Sequence, residues 1–103
     1  MAGNPEEKLT LDQEIERLVH EPARLKVLAF LSLLESADFT FLVSRLGLTM
    51  GNLSAHISKL QEAGYIEVEK GYKDNRPQTM ISLTEAGRQA FQRYRKQMLQ
   101  ILQ

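Results

Sequence analysis

TMGNLSAHISKLQEAG (Thr49–Gly64) carries Leu53, Ile57 and Leu60 at i, i+4 and i+7, one stripe of an α-helix. Thr49 offers a hydroxyl where the first free N–H groups need an acceptor, and Gly64 tolerates the left-handed turn that ends a helix. Turned away from the stripe are Gly51, Asn52, Ser54, Ala55, Ser58, Lys59 and Glu62. Until the last turn this face is small and polar with one charge, Lys59; Glu62 comes only at the C-terminal end. A helix face shaped only for solubility carries more Glu, Lys and Arg in i, i+4 pairs. Short donor–acceptor side chains let a helix backbone approach another surface closely and hydrogen-bond to it. Reading base edges in a DNA major groove requires such a face.

Immediately before this stretch, Phe41–Leu46 reads as a brief helix capped by Thr40 and closed by Gly47. Two short helices joined by about four residues containing Gly form the helix-turn-helix pattern. Ser36–Phe39 has room only for a connector or a minimal strand. Further back, Pro22 to Leu34 contains Leu25, Val27, Leu28, Phe30, Leu31 and Leu34, so it is apolar on more than half its circumference and should be the most buried helix. Glu21-Pro22 separates it from an amphipathic helix that starts at Thr10, with Leu11, Ile15, Leu18 and Val19 on its stripe and Asp12 and Glu14 near its positive end. Residues 1–8 read as a flexible tail.

After Gly64, Tyr65–Lys70 alternates Ile66 and Val68 with Glu67 and Glu69, and Gln78–Leu83 alternates again. Gly71–Pro77 between them reads as a turn-forming loop with exposed cations, longer at its tip than a tight two-residue turn. Thr84-Glu85 opens a final helix whose stripe is Ala86, Ala90, Phe91, Tyr94, Met98, Ile101 and Leu102.

A chain of 103 residues with 43% hydrophobic content suits one domain with a modest core. The absence of Cys excludes disulfides, thiolate metal sites and thiol nucleophiles. No apolar run approaches the ~20 residues of a membrane span, and MAGNPEEKL has no apolar signal core, so a cytoplasmic protein without a membrane partner is expected. Net charge is zero, which argues against a non-specific nucleic-acid coat. The charge is polarised, however. Residues 1–38 hold 8 acidic and 4 basic groups (net −4), residues 39–69 hold 3 and 2 (net −1), and residues 70–103 hold 2 and 7 (net +5). Paired carboxylates in a pocket, a Ser-His-Asp order, a glycine-rich phosphate loop and a metal-ligand cluster are all missing. The sequence therefore points to no enzyme, no cofactor and no metal.

RLKVLAFL (Arg24–Leu31), FLVSRLGLTMGNLSAHISKLQEAGYIEVEK (Phe41–Lys70) and ISLTEAGRQAF (Ile81–Phe91) together resemble winged helix-turn-helix transcriptional regulators of the MarR and ArsR type, above all their small single-domain members. The similarity spans most of residues 22–95. It implies a mainly α fold with a small β-hairpin (α+β), a single winged-helix domain over 9–103, and extra N- and C-terminal helices for dimerisation, with 85–103 as the C-terminal one. It also implies sequence-dependent operator binding by a homodimer. MarR wings often carry an Asp-Arg pair at the tip; here the order is Lys73-Asp74-Asn75-Arg76, which makes Arg76 the equivalent. ArsR metal sensors use Cys motifs that this chain lacks, so metal sensing does not carry over.

On this reading helix 49–63 enters the major groove of double-stranded DNA and wing 71–77 meets the backbone or minor groove. Asn52 suits bidentate contact with adenine, and Ser54 and Ser58 can donate or accept. Ala55 suits a thymine methyl, Lys59 suits guanine or phosphate, Thr49 lies at the entry, and Gly51 permits close approach. Lys70, Lys73 and Arg76 are the phosphate-clamping cations. Arg88, Arg93, Arg95 and Lys96 form a solvated face or touch flanking phosphate, while His56 reads as a hydrogen-bonded core histidine and His20 as no ligand. Leu11, Ile15, Leu18, Phe91, Tyr94, Met98, Ile101 and Leu102 are the pairing residues; a two-fold axis there sets two reading helices ~34 Å apart on a palindromic operator. An effector ligand would sit between the terminal helices and the core. The rival reading, a winged-helix adaptor for protein or RNA, calls for a more apolar exposed face.

Overall fold

The computed structural model describes residues 15–103. The tail at 1–8, the Thr10 cap, Leu11, Asp12 and Glu14 lie outside the described residues. The order is α1 (Pro22–Leu31), β1 (Ala37–Asp38), α2 (Phe39–Leu46), α3 (Met50–Glu62), β2 (Ile66–Lys73), β3 (Arg76–Leu83) and α4 (Glu85–Leu102). Strands run β1-β3-β2 in one antiparallel sheet, so the helices and small sheet form the expected winged-helix α+β fold. Leu28 and Leu31 of α1, Leu42 of α2, Leu53 and Leu60 of α3 and Ile81 of β3 are fully buried together. Each comes from the apolar stripe of its own element, and burying these side chains is the main force holding the layers together.

Several element ends differ from the sequence expectation. Helix α1 stops at Leu31 rather than Leu34. The Ser32 hydroxyl donates to the Ala29 carbonyl at 2.6 Å, and Leu33 and Leu34 make only i to i−3 bonds, so the chain tightens and turns out of the helix. Leu33 and Leu34 are left exposed. Helix α2 starts at Phe39, and its cap is Asp38, not Thr40. The Asp38 carboxylate accepts the N–H groups of Thr40 at 2.8 Å and Phe41 at 3.2 Å as well as the Thr40 hydroxyl. A carboxylate outcompetes a hydroxyl for that position because it bears a full charge at the positive helix end. Ala37 and Asp38 are a minimal strand, pairing with Ile81 and Met80.

The hairpin departs further. Strands β2 and β3 pair without interruption from Ile66↔Leu83 to Lys73↔Arg76, leaving a two-residue turn of Asp74 and Asn75 rather than a seven-residue loop. Both turn residues have positive φ, 53° and 63°, the geometry whose twist matches a tight hairpin and that Asp and Asn tolerate best after Gly. Pro77 survives within β3 because β1 covers that strand only at Met80 and Ile81, leaving its neighbour side open at Pro77.

The Asp38 cap has a measurable acid signature. The Thr40 hydroxyl, opposed by burial and assisted by the Phe41 N–H and the Gln78 amide, holds the Asp38 carboxyl below the usual carboxylate range. A carboxyl lowered in the folded state stabilises the fold above its unfolded pKa, and that contribution is lost as pH falls through the folded value. Asp38→Ala should therefore cost about 1 kcal/mol at neutral pH in urea titrations. Its deficit against the wild type should shrink below about pH 4. A deficit independent of pH would show that the cap does not titrate with folding.

Candidate nucleic-acid interface

Helix α3 is capped by Thr49, whose hydroxyl oxygen accepts the Asn52 N–H at 3.0 Å. Leu53, Ile57 and Leu60 are buried, and Gly51, Asn52, Ser54, Ala55, Ser58 and Lys59 are exposed. None of the hydrogen bonds among the described residues engages the side chain of Asn52, Ser54 or Ser58. A methyl group added at Gly51 would meet nothing within 4 Å, so packing within the chain does not demand glycine there. Met50, which the sequence reading passed over, stands 60% exposed at the first position of the helix beside this polar face.

The hairpin projects its cations on two sides. Successive side chains of a strand alternate between faces, and directly paired residues share one. Lys73 and Arg76 are paired and therefore project together, whereas Lys70 and Tyr72 project from the opposite face. All four are exposed. Lys73, Asp74, Arg76, Pro77 and Gln78 also line an open hollow with Asp38 at the base of the wing.

Behind α3, His56 is half-buried and hydrogen-bonded, as expected for a core histidine; its Nδ1 accepts from Nη1 of Arg24 at 3.1 Å and lies 3.9 Å from Oε1 of Glu21. Burial raises the Glu21 carboxyl, but the Arg24 N–H, with His56 and the Arg24 guanidinium nearby, outweighs it and leaves the group below its ordinary value. Tyr65, just beyond α3, donates its hydroxyl to Glu16, and burial followed by Glu16 raises its pKa while Arg93 opposes. Nδ1 of His20 meets the Tyr94 hydroxyl at 2.7 Å. These ties cross from residues 16–24 to distant elements, beyond the reach of any local sequence pattern.

The remaining sequence candidates occupy the terminal elements. Ile15, Leu18, Phe91 and Met98 are half-buried against the core, and Tyr94 is only 8% exposed. Ala86, assigned to the apolar stripe, is exposed; Gly87 is the buried residue of that turn. Leu99, Ile101 and Leu102 at the end of α4 are 51%, 42% and 75% exposed. Among the described residues no group of three or more His, Asp or Glu could hold a metal ion, and no helix is long and apolar enough to cross a membrane.

A three-helix core, a capped polar-faced helix after a tight turn and a cationic hairpin together define a winged helix-turn-helix DNA-binding regulator of the MarR-like kind. Residues 23–102 match the model of the winged helix DNA-binding domain, and the chain belongs to that family. It is 39% identical over 85 residues to an uncharacterized protein of Methanocaldococcus jannaschii, an alignment covering 82% of this chain and 92% of that protein. The structure of a transcriptional regulator homologue from Pyrococcus horikoshii OT3 superposes with a TM-score of 0.82 at 28% identity, covering 94% of each chain. A MarR-family transcriptional regulator from Silicibacter pomeroyi superposes at a TM-score of 0.67 and 27% identity, over 85% of this chain and 58% of that one. Family and fold are those of DNA-binding regulators, not of enzymes.

Proposed function

We propose that the chain acts as a homodimer on a palindromic operator, with helix 49–63 in the major groove and wing 71–77 on the backbone or in the adjacent minor groove. The observation that carries this reading is the outer face of α3, where Asn52, Ser54 and Ser58 are exposed with side chains unused by the fold. Hydrogen-bonding groups held rigidly on a packed helix, with their capacity free, are what base-edge readout needs. Gly51 admits close approach, and Ala55 and Met50 offer methyl-sized apolar contact for thymine. Lys59 at the far side and the wing cations supply phosphate contacts.

Pairing is supported by the uncovered end of α4, where Leu99, Ile101 and Leu102 leave apolar surface in water on a helix whose buried residues all lie before it. A two-fold axis that covers Leu99, Ile101 and Leu102, with Ile15, Leu18, Phe91 and Met98 alongside and Tyr94 backing them from the core, sets two copies of α3 facing one side of the duplex. Operator binding is thereby tied to the dimer.

Selection of bound sequences from random duplex DNA, at fixed salt, tests both parts. The expected product is an inverted repeat with half-site centres ~34 Å or a multiple apart. Enriched sites without symmetry, with a monomeric mass at micromolar concentration, would overturn pairing. No enrichment at all would overturn the groove reading.

A further inference from the structure

The back of α3 is joined to the rest of the chain through a side chain that no contact with DNA requires. Arg24, in the first turn of α1, spreads its guanidinium over two separate parts of the fold. Nε donates to the Leu18 carbonyl at 2.6 Å and Nη2 to the Arg17 carbonyl at 3.5 Å, while Nη1 donates to Nδ1 of His56 at 3.1 Å. Glu21 closes the group, accepting the Arg24 N–H at 2.7 Å with the same oxygen that faces His56. The strand of chain that Arg24 grips is itself tied down twice, to α4 through His20 and Tyr94 and to the exit of α3 through Glu16 and Tyr65. A planar guanidinium holds its donors at fixed mutual angles, so the two parts of the chain it bridges are fixed relative to each other.

We infer that Arg24, acting through His56, is a positioning residue that sets the orientation of the reading helix relative to the pairing surface, and with it the half-site spacing the dimer accepts. This rests on the homodimer reading above. Leu18 belongs to the segment assigned to pairing, and His56 sits on α3 at the edge of its buried stripe, one turn on from Asn52 of the face assigned to the groove. The joint between them therefore lies on the path from the two-fold axis to the base pairs. A firm joint presents two copies of α3 at one separation. A loose joint lets them reach neighbouring separations at similar cost, while each copy still reads its own half-site.

The test uses the full chain and three duplexes built from the selected inverted repeat: the selected spacing, one base pair more, and one base pair fewer. A fourth duplex carries a single half-site. Arg24→Gln and His56→Leu are each expected to reduce discrimination between spacings by about tenfold, the size typical of coupled residues, with half-site affinity changed by less than about twofold. The double variant should lose no more discrimination than Arg24→Gln alone, because that substitution already removes the bond to His56. His56→Gln, whose amide oxygen accepts from Arg24, should keep the discrimination. If Arg24→Gln fails to fold, His56→Leu, which leaves the Leu18 and Arg17 contacts in place, carries the test. Unchanged discrimination in His56→Leu would overturn the inference. So would a parallel loss of half-site affinity, which would make the joint a support of α3 alone. A wild-type chain indifferent to spacing would overturn the homodimer reading, and the inference with it.

Discussion

Gly87→Ala should destabilise the protein more than any other single methyl addition at its described glycines. A Cβ at that position would lie 2.0 Å from the carbonyl oxygen of Tyr65, 2.8 Å from its carbon and 3.0 Å from its Cα. All three are backbone atoms, so no rotamer change relieves the clash. The same carbonyl accepts the Thr84 N–H at 3.0 Å. The Thr84 hydroxyl donates to the Gly64 carbonyl at 2.6 Å and accepts the Gly87 N–H at 3.0 Å, capping α4. Moving α4 outward to make room therefore breaks the cap and its anchor to the end of α3 together. Overpacking costs about 1–3 kcal/mol and each lost hydrogen bond about 1 kcal/mol. Against a total stability of about 5–15 kcal/mol, a loss near 3 kcal/mol or more lowers the melting temperature by about 12 °C or more. Thermal unfolding followed by circular dichroism measures it directly. A melting curve that overlays the wild type would show that the helix yields without cost. The steric demand also gives a physical reason for Gly in the Leu-Thr-x-x-Gly-Arg run at Leu83–Arg88, where Arg88 reaches back to the Ser32 carbonyl at 3.4 Å.

Asn52→Ala is expected to leave folding intact and to weaken operator binding by about 1–3 kcal/mol, roughly 5- to 150-fold, while relaxing preference at one base position. The side chain is exposed and the cap uses only its backbone N–H, so the unfolding free energy should change by no more than about 0.5 kcal/mol. Lys73→Ala serves as the contrast. It should weaken all sequences alike and reduce the slope of log affinity against log salt by about one unit. Binding of the Asn52 variant that equals wild type at every position would remove Asn52 from the groove. An unchanged salt slope in the Lys73 variant would do the same for the wing.

The elements legible beforehand were those governed by neighbours a few residues apart. The stripe of Leu53, Ile57 and Leu60, the caps Thr49 and Thr84 and the alternation through Ile66 and Val68 each placed an element where the structure has it. The misread ends were close competitions between similar local signals. Thr40 and Asp38 both suit a helix cap, and charge decided for Asp38. Asp74-Asn75 lacks the glycine that usually marks a two-residue turn, so the hairpin read as a longer loop; full pairing of Lys73 with Arg76 forced both residues to positive φ instead.

Periodicity and capping chemistry by themselves determined the helix order, the inward faces and the polar outward face of α3, because each depends on spacings that repeat within one or two turns. Only the folded chain decided that Gly87 must lie against the Tyr65 backbone, that Arg24 bridges Leu18 to His56, and that Lys70 parts from Lys73 and Arg76. Arg24 and His56 meet across 32 residues of sequence, a contact that packing of α1 on α3 creates and that no local pattern encodes.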